Sequence, residues 1–489
     1  MTSQAAHTAE QLPRPRGGRR DPRRFLWRLT AATGGGMFID GFVFASVASA
    51  LAGSAMSREI GVTLTWATLI SSSTLVGTFF GGLFLGYLTD RVGRRPMFTI
   101  DLSVFLASAV LMLFVTAPWQ VMVLGLVMGL AVGADYSIGS PLLAEFAPRA
   151  RRGNYLGVLE ILWNVGYVVA YLIGYLINTH WPSAWNITLA ASAVPAVICL
   201  MLRHGLPESP RWLMSKGRRE EALEVLTQSF GTPPSAAATN APGQEPHTAG
   251  PHGMDADTAD IHAEQAEDTR YSMLFSPDYI LRTVFVCTFW ICIVLPYFAL
   301  TFFQPTVLTA IGMGESALAG ALLGTVIALV GAVTGWYLVD KVGRRNILIW
   351  PMFGCALALF LVALGHRLPV WAGTACFFGY LFSYGIMSIL PGVYPEEVFP
   401  TAIRTSGVGL ASAASRIGAA IGTFLLPLGL EHLGLGWCMA GMGVVSLVGG
   451  VTAYAWAPET NGRLLTDTGH RAQRGRRLVA PTAVEETRV

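Results

Sequence analysis

Twelve apolar stretches of membrane-spanning length recur along the 489 residues of this chain. A spanning helix needs roughly 20 mainly apolar residues, and backbone that faces lipid must satisfy its own hydrogen bonds, which favours helices. Only 13% of the residues are charged, against about 25% in a typical soluble domain. We therefore predict an all-α membrane protein with twelve transmembrane helices, placed at 25–52, 66–89, 97–117, 120–145, 154–178, 185–203, 281–310, 316–340, 346–366, 369–394, 402–428 and 434–457.

Polar segments divide these helices into two groups of six and set the predicted domain organisation. From the N-terminus we expect a disordered basic tail, a first bundle, a long loop, a second bundle and a C-terminal tail, at 1–24, 25–203, 204–280, 281–457 and 458–489. The loop alternates charged and apolar residues over about 207–229, which predicts one or two short amphipathic helices. Its stretch 232–270 has too few apolar side chains to offset the entropy of ordering, so we predict disorder there.

The Lys and Arg residues are distributed asymmetrically between alternate loops. If both termini are cytoplasmic, all but three of the 33 lie in cytoplasmic segments; the exceptions are Arg58, Arg367 and Arg416. Cytoplasmic loops of membrane proteins carry an excess of these residues. The pattern predicts a multi-pass protein of the cytoplasmic (inner) membrane with both termini inside.

Three short motifs occur twice, each time at equivalent helix ends and at separations of 250 to 252 residues. The pairs are Asp90-Arg-Val-Gly-Arg-Arg95 with Asp340-Lys-Val-Gly-Arg-Arg345, Glu145-Phe-Ala-Pro148 with Glu397-Val-Phe-Pro400, and Pro207-Glu-Ser209 with Pro458-Glu-Thr460. Three motifs at one offset indicate two similar halves in parallel orientation, related by an axis along the membrane normal.

These motifs also resemble a known family. The segment Gly86–Arg95 is similar to the loop 2–3 signature of the major facilitator superfamily. The segments Glu145…Arg152-Gly153, Pro207-Glu-Ser-Pro-Arg-Trp212 and Pro395-Glu-Glu-Val-Phe-Pro400…Arg404 resemble its branch of sugar porters and metabolite:proton symporters. The resemblance implies two pseudo-symmetric six-helix bundles and alternating-access transport, with no catalytic residue, metal or cofactor.

The repeated charges predict a cytoplasmic gate. In each half, acidic and basic side chains would form ion pairs that hold the inner ends of the halves together and release them when the carrier turns inward. The alternative is a set of topology-determining charges with local caps. The predicted gate residues are Asp90, Arg94, Glu145 and Arg152 in the first half and Asp340, Arg344, Glu397 and Arg404 in the second.

Four ionisable residues fall inside predicted helices, where a charge costs at least about 2.5–3.5 kcal/mol on insertion scales. Asp40, Asp135 and Glu160 are candidates for proton coupling, with Asp40 or Asp135 preferred. The alternative for Glu160 is a structural ion pair, and that for Asp40 is a helix-end or glycine-associated structural role. Asp101 is interpreted as a helix cap or interface group. Arg416 keeps its charge, so it either neutralises an acid or binds an anionic group of the substrate.

Further polar and aromatic side chains are candidates for substrate contact. By resemblance, Glu160 occupies the position of a sugar-binding Gln in sugar porters. Pro296 and Pro305 are expected to interrupt helix 7, which suits a gate; ordinary kinked packing is the alternative. Leu126 and Gly392 stand where sugar porters carry Arg and Trp, which disfavours a hexose. The candidates are Glu160, Trp163, Asn164, Tyr167, Tyr136, Tyr297, Gln304 and Arg416.

The functional prediction is secondary active transport of a small polar organic solute, an organic acid, cation or other metabolite, as a proton-coupled symporter. The alternatives are a proton-antiport exporter of a drug or secondary metabolite and a non-transporting membrane receptor. The chain has no nucleotide loop, nucleophile–base pair or metal-ligand spacing that would indicate an enzyme. We expect a monomer whose partners are a small-molecule solute, protons and the lipid bilayer, and no nucleic acid.

Overall fold

The computed structural model of the chain describes residues 22–146, 152–230, 271–399 and 401–460. Regular secondary structure in these segments is helical throughout. Twelve helices are long and apolar enough to span a membrane, which confirms the predicted number. We label them α1–α12: Arg24–Ala52, Leu64–Leu85, Arg94–Phe114, Pro118–Ser140, Asn154–His180, Pro182–Arg203, Ile280–Phe302, Gly314–Val342, Arg344–Ala363, Val370–Gly392, Ser406–His432 and Gly434–Trp456. The segments predicted to be disordered (most of 1–24, and 232–270) and the end of the C-terminal tail from 461 lie outside the described residues.

The helices belong to two compact units. The first falls within Met1–Thr63 and Phe80–His262, and the second within Leu64–Phe79 and Ala263–Val489. Each unit has its own set of closely packed helix pairs.

Glycines allow close contact between helix backbones in both units. In the first, a Cβ at Gly41 of α1 would lie 2.0 Å from the carbonyl oxygen of Trp163 on α5. In the second, a Cβ at Gly335 of α8 would lie 2.0 Å from the carbonyl oxygen of Ile386 on α10. Small residues at such crossings let membrane helices gain van der Waals contact, since lipid offers no hydrophobic driving force between helices.

Helix α7 differs from the prediction in one respect. It continues unbroken through Pro296 and ends at Phe302, so the expected break at Pro296 is wrong. Phe303 has a non-helical backbone, and a new helix, Gln304–Ile311, begins with Pro305 in its first turn. Proline is favoured there because the first turn does not use its N–H, whereas inside a membrane helix neighbouring groups compensate for the missing donor.

The loop between the halves contains two short helices, Pro210–Ser215 and Arg219–Phe230. The Ser209 side chain caps the first by accepting the Trp212 N–H at 3.1 Å. On the second, Ala222 is buried, while Glu221 forms an exposed ion pair with Arg218, the residue before the helix. The segment that alternates charged and apolar residues therefore contains two short helices.

The repeated motifs make the same contact in both units. The Glu208 carboxylate accepts the backbone N–H groups of Arg94 and Arg95 at 3.0 and 3.1 Å. The Glu459 carboxylate accepts those of Arg344 and Arg345 at 3.1 and 3.2 Å. Each acid thus satisfies the free N–H groups at the start of α3 or α9, where a negative charge is also favoured by the helix dipole.

A glycine precedes each of these helix starts and has a backbone that other residues rarely adopt. Gly93 has φ 110° and ψ 157°, and Gly343 has φ 90° and ψ 154°. A Cβ would lie 2.8 Å from Glu208 Oε2 at Gly93 and 2.5 Å from Glu459 Oε2 at Gly343. Both the backbone conformation and the contact with the acid therefore require glycine.

We expect Gly93→Ala to lower the thermal unfolding midpoint of the detergent-purified protein more than Gly217→Ala does. Gly217 also has a positive φ, 77°, but nothing lies within 4 Å of its Cβ position. Backbone strain of this kind costs about 1–3 kcal/mol, and only Gly93→Ala adds displacement of Glu208. Equal midpoints for the two variants would show that the contact with Glu208 contributes nothing.

Candidate functional site

Three charged side chains from three helices meet inside the first unit. Arg203 is the last residue of α6, and its Nη2 donates to Asp135 Oδ1 of α4 at 2.5 Å. The other terminal nitrogen, Nη1, lies 3.6 Å from Asp101 Oδ2 of α3. The side chains of Arg203, Asp135 and Asp101 are only 3%, 7% and 2% exposed, so the cluster is enclosed by protein.

Backbone and aromatic groups fix the position of Arg203. Its Nε donates to the Ala32 carbonyl oxygen of α1 at 3.2 Å, and its guanidinium lies over the Phe98 ring, 4.1 Å from the centroid. A Cβ at Gly36 would lie 1.8 Å from Asp135 Oδ2 and 2.2 Å from Arg203 Nη2. The ion pair therefore rests directly against the glycine backbone of α1, where a side chain would displace it.

A fourth ionisable residue, Asp40 of α1, borders a small cavity beside the cluster. The cavity has a volume of about 10 Å³, roughly the space that one water molecule needs. Asp40 is buried. The lining residues are Gly36, Ile39, Asp40, Asp101, Leu102, Phe105, Ala131, Val132 and Asp135.

The cluster can bind and release protons. Arg203 carries one permanent positive charge and lies near two carboxyl groups, Asp135 and Asp101. A buried charge without a counter-charge is strongly disfavoured, so the second carboxyl needs a proton or another cation to balance it. The cavity beside both acids, lined by three carboxyl groups among apolar residues, offers a place through which water can bring that proton.

The structure brings together some of the residues that the sequence singled out and separates others. Asp40 and Asp135 border the same cavity, whereas Glu160 lies half-buried on α5 and is not among its lining residues. Asp101 is not a helix cap: it lies two turns inside the helix Arg94–Leu111 and is buried beside Arg203.

Sequence reasoning missed Arg203 altogether as a site residue. It ends an apolar run, so it counted as a cytoplasmic loop charge. The available signal was the run Gly34-Gly35-Gly36 on α1, since three successive glycines leave space for large groups from neighbouring helices.

The substrate candidates of α5 belong to a row of stacked rings. Trp163 and Tyr167 stack at a centroid distance of 5.5 Å, and Tyr167 and Tyr171 at 6.4 Å. All three side chains are buried, as is Asn164, whose amide donates to the Glu160 carbonyl oxygen at 2.9 Å. Tyr136 follows Asp135 on α4 and is half-buried.

The candidates of the second unit form an aromatic group with one cation. Tyr297 of α7 stacks on Tyr384 of α10 at 3.7 Å between centroids, with the ring planes 5° apart. The Arg416 guanidinium of α11 lies 5.7 Å from the centroid of Phe298, and Arg416 is buried. Gln304 is fully buried and donates to the Ala321 carbonyl oxygen at 3.2 Å, which favours a packing role.

Half of the predicted gate residues can be placed. Arg344 lies 3.0 Å from Asp340 and 3.2 Å from Glu397, so one guanidinium joins both acids within the second unit. Arg94 is half-buried at the start of α3. The side chains of Asp90, Glu145, Arg152 and Arg404 lie outside the part of the structure that is described.

Burial sets the protonation behaviour of this second-unit group. It raises the pKa of Glu397 above its ordinary value, although Arg344 and a hydrogen bond from Thr460 act in the opposite direction. Burial likewise raises the pKa of Tyr394, whose hydroxyl donates to the Pro458 carbonyl oxygen. Acidification therefore breaks the Arg344–Glu397 pair at a higher pH than it would for an exposed Glu.

Comparisons with known proteins agree with this architecture. Residues 27–469 match the family model described as "Sugar (and other) transporter". The chain is 35% identical over 449 residues to the inner membrane metabolite transport protein YgcS of Escherichia coli (strain K12), which covers 91% of this chain and 94% of that protein. It is 26% identical over 355 residues to the niacin transporter NiaP of Acinetobacter baylyi (strain ATCC 33305 / BD413 / ADP1), covering 71% and 75%.

A solved structure shows the same fold. It is that of XylE, described as a proton:xylose symporter of the major facilitator superfamily; the TM-score is 0.74 at 20% identity, over 92% of this chain and 99% of that one. The family match spans most of the chain and the relatives are transport proteins. This chain therefore belongs to the sugar (and other) transporter family, with the major facilitator fold, and is a multi-pass inner-membrane transport protein and not an enzyme.

Proposed function

We propose that this protein is a secondary active transporter that moves a small polar organic solute across the cytoplasmic membrane by alternating access, in symport with protons. The solute class is an organic acid, an organic cation or another small metabolite. The observation that carries the proposal is the buried group in which Asp135 and Asp101 both lie near Arg203.

Charge balance supports proton coupling. Ionisable groups between membrane helices are costly and usually mark ion or substrate pathways. Arg203 balances one carboxylate, and a proton can balance the other without any metal or cofactor. Asp135 is the preferred proton site because it is buried at the cavity and its protonation would break the 2.5 Å contact with Arg203, so that proton binding alters a contact between helices. Asp40, on the same cavity, is the second candidate, and Glu160 of α5 is the third.

Relatives support the same assignment. The named relatives transport metabolites or niacin, and XylE, which shares the fold, is named a proton:xylose symporter. None of these names fixes the solute of this chain. They do favour import of a small metabolite over export of a drug or a receptor function.

Residues of both units are proposed to contact the solute. Aromatic rings offer flat apolar faces with polar edges. Such rings are present in Trp163 and Tyr167 of the first unit and in the stacked pair Tyr297 and Tyr384 of the second. Arg416 supplies a permanent positive charge that suits a carboxylate or another anionic group. The full proposed set is Glu160, Trp163, Asn164, Tyr167, Tyr136, Tyr297, Gln304 and Arg416. For Gln304, the hydrogen bond to the Ala321 carbonyl oxygen also supports a packing role.

The gate, the topology and the oligomeric state are proposed as well. Arg344 with Asp340 and Glu397 would stabilise one conformation of the carrier at its cytoplasmic end, with Asp90, Arg94, Glu145, Arg152 and Arg404 in the corresponding roles. The charge asymmetry of the loops favours both termini in the cytoplasm. We propose that the protein acts as a monomer, since each half already carries its own copy of the gate motifs.

Solute uptake into proteoliposomes is expected to depend on an inward proton gradient and to lose that dependence in Asp135→Asn. The assay uses a panel of radiolabelled probes that includes D-xylose, nicotinate, small organic acids and small organic cations. Removal of the proton site should abolish gradient-driven accumulation while exchange of labelled for unlabelled solute continues. Asp40→Asn and Glu160→Gln, measured in parallel, rank the other two candidates.

The control is Asp278→Asn, which removes an exposed carboxylate outside the spanning helices. Uptake that ignores the pH gradient, with all three intramembrane variants normal, would remove proton coupling from the proposal. Solute accumulation driven by an outward proton gradient, with protons leaving the vesicle as solute enters, would favour the antiport exporter. No exchange of any probe would favour a receptor.

The gate is tested by Asp340→Asn. The Asp340 side chain is 53% exposed, and exposed ion pairs contribute only about 0–1 kcal/mol to stability, so membrane abundance should not change. The exchange rate should fall by up to about fivefold, because loss of roughly 1 kcal/mol from one conformation changes its population by that factor.

Lys341→Ala is the matched control, because it removes a neighbouring charge whose ammonium lies over the Tyr337 ring and which makes no gate contact in the described structure. An unchanged rate in Asp340→Asn would leave these charges with a role in topology alone.

A further inference from the structure

The contacts of Arg203 with its two acids are unequal. The contact with Asp135 is a hydrogen bond of 2.5 Å, whereas the distance to Asp101 is 3.6 Å, just beyond hydrogen-bond range. Neither Arg203 Nη1 nor Asp101 Oδ2 has a hydrogen-bond partner among the described residues. Buried polar atoms are rarely left in this state, so each of these two atoms can gain a bond if the other moves about half an ångström closer.

We infer that Arg203 exchanges partners between Asp135 and Asp101 as a proton binds and leaves, and that Asp101 is therefore part of the coupling device. The inference rests on the proposed proton coupling and adds a residue to it. With both acids ionised, Arg203 bonds to Asp135 and one negative charge of the cluster is unbalanced. When a proton binds to Asp135, the charges balance, and Arg203 turns to Asp101, the carboxylate that remains.

The step conserves atoms and charge. A hydronium ion that reaches the cavity from the aqueous phase gives its proton to Asp135: one of its O–H bonds breaks, an O–H bond forms on the Asp135 carboxylate, and a neutral water molecule remains. At Arg203, only the hydrogen bond to Asp135 is broken, because the guanidinium keeps all its protons. A new charge-assisted hydrogen bond from Arg203 Nη1 to Asp101 replaces it, and such bonds are among the stronger ones in proteins.

The surroundings of Arg203 allow this turn. Its Nε is held by the Ala32 carbonyl oxygen and its guanidinium lies over the apolar Phe98 ring, so the two terminal nitrogens can shift across that ring while the anchor stays. Asp135 lies on α4 and Asp101 on α3. The exchange would therefore move the ion pair made by α6 from α4 to α3, which links protonation to helix movement.

Other titratable groups face this cluster and must be separated in any test. Asp40 of α1 borders the same cavity. The Cys199 thiol, one turn before Arg203, lies 3.5 Å from the Ala32 carbonyl oxygen. Arg28 of α1 donates to the backbone oxygen of His204, the residue after Arg203, at 2.5 Å.

The test is pH-induced infrared difference spectroscopy on the purified full-length protein in lipid, with the proton itself as the probe. Two signals are followed: the C=O stretch of a protonated carboxyl, assigned by its loss in Asp135→Asn, and the guanidinium bands, assigned by their loss in Arg203→Lys. In the wild type, both should change over the same pH interval. In Asp101→Asn, the carboxyl signal should remain and the guanidinium change should be lost, because Arg203 then has no second acid to turn to.

Asp101→Glu serves as the conservative variant and should retain both signals, which also covers the case in which Asp101→Asn does not fold. Asp278→Asn should behave as the wild type, and Asp40→Asn should keep the guanidinium change. A guanidinium change that persists in Asp101→Asn, or one that is absent from the wild type while Asp135 titrates, would overturn partner exchange. A static structural role for Asp101 would give one of these two results.

The outcome is independent of the solute assay. If uptake is proton-coupled but the guanidinium signal does not require Asp101, partner exchange fails and the proposed function stands. If the exchange is seen but uptake of every transported probe ignores the pH gradient, symport fails and the cluster is a proton-binding device of another kind.

Discussion

A charge that lies between membrane helices must be balanced by its neighbours, because no bulk water is available to solvate it. This constraint explains the arrangement of the first unit. Arg203 at the end of α6 can be buried only if acidic side chains of other helices lie near its guanidinium, and Asp101 of α3 and Asp135 of α4 both do. The glycine at position 36 then follows, since a side chain there would occupy the space of the Asp135–Arg203 pair. Four helices are thus tied together by one guanidinium.

The same physics limits what could be read from the sequence. Hydrophobic runs predicted all twelve spanning helices, because length and apolarity alone decide whether a helix can cross a bilayer. The motif repeat predicted equivalent loops, and Glu208 and Glu459 indeed bind the starts of α3 and α9 in the same way. These features are local, or repeat at a fixed offset, so one sequence is sufficient to find them.

The errors concern contacts between distant segments. Arg203 is 68 residues from Asp135, and nothing in the run Leu202-Arg203-His204 distinguishes a buried counter-ion from a cytoplasmic loop charge. Asp101 was assigned to a helix end because the helix start was placed three residues too late, at 97 instead of Arg94. Pro296 was expected to interrupt α7, but a proline's effect depends on its neighbours, and there the helix continues. Tertiary context decided each case.

The distribution of charge between the two halves separates two tasks. Contacts that occur twice, Glu208 with α3 and Glu459 with α9, stabilise loops at equivalent helix ends and suit a motion that both halves share. The buried cluster occurs once. At the repeat offsets of about 250 to 252 residues, the second half has Pro351, Met387 and Tyr454 where the first has Asp101, Asp135 and Arg203. Tyr454 is largely exposed and its backbone oxygen accepts a hydrogen bond from Arg345, so these three positions of the second half hold no side-chain charge to balance. Under the proposed coupling, a proton that binds to the cluster would change contacts inside the first unit, and such a difference between the halves is what a carrier needs if protonation is to favour one of its conformations over the other.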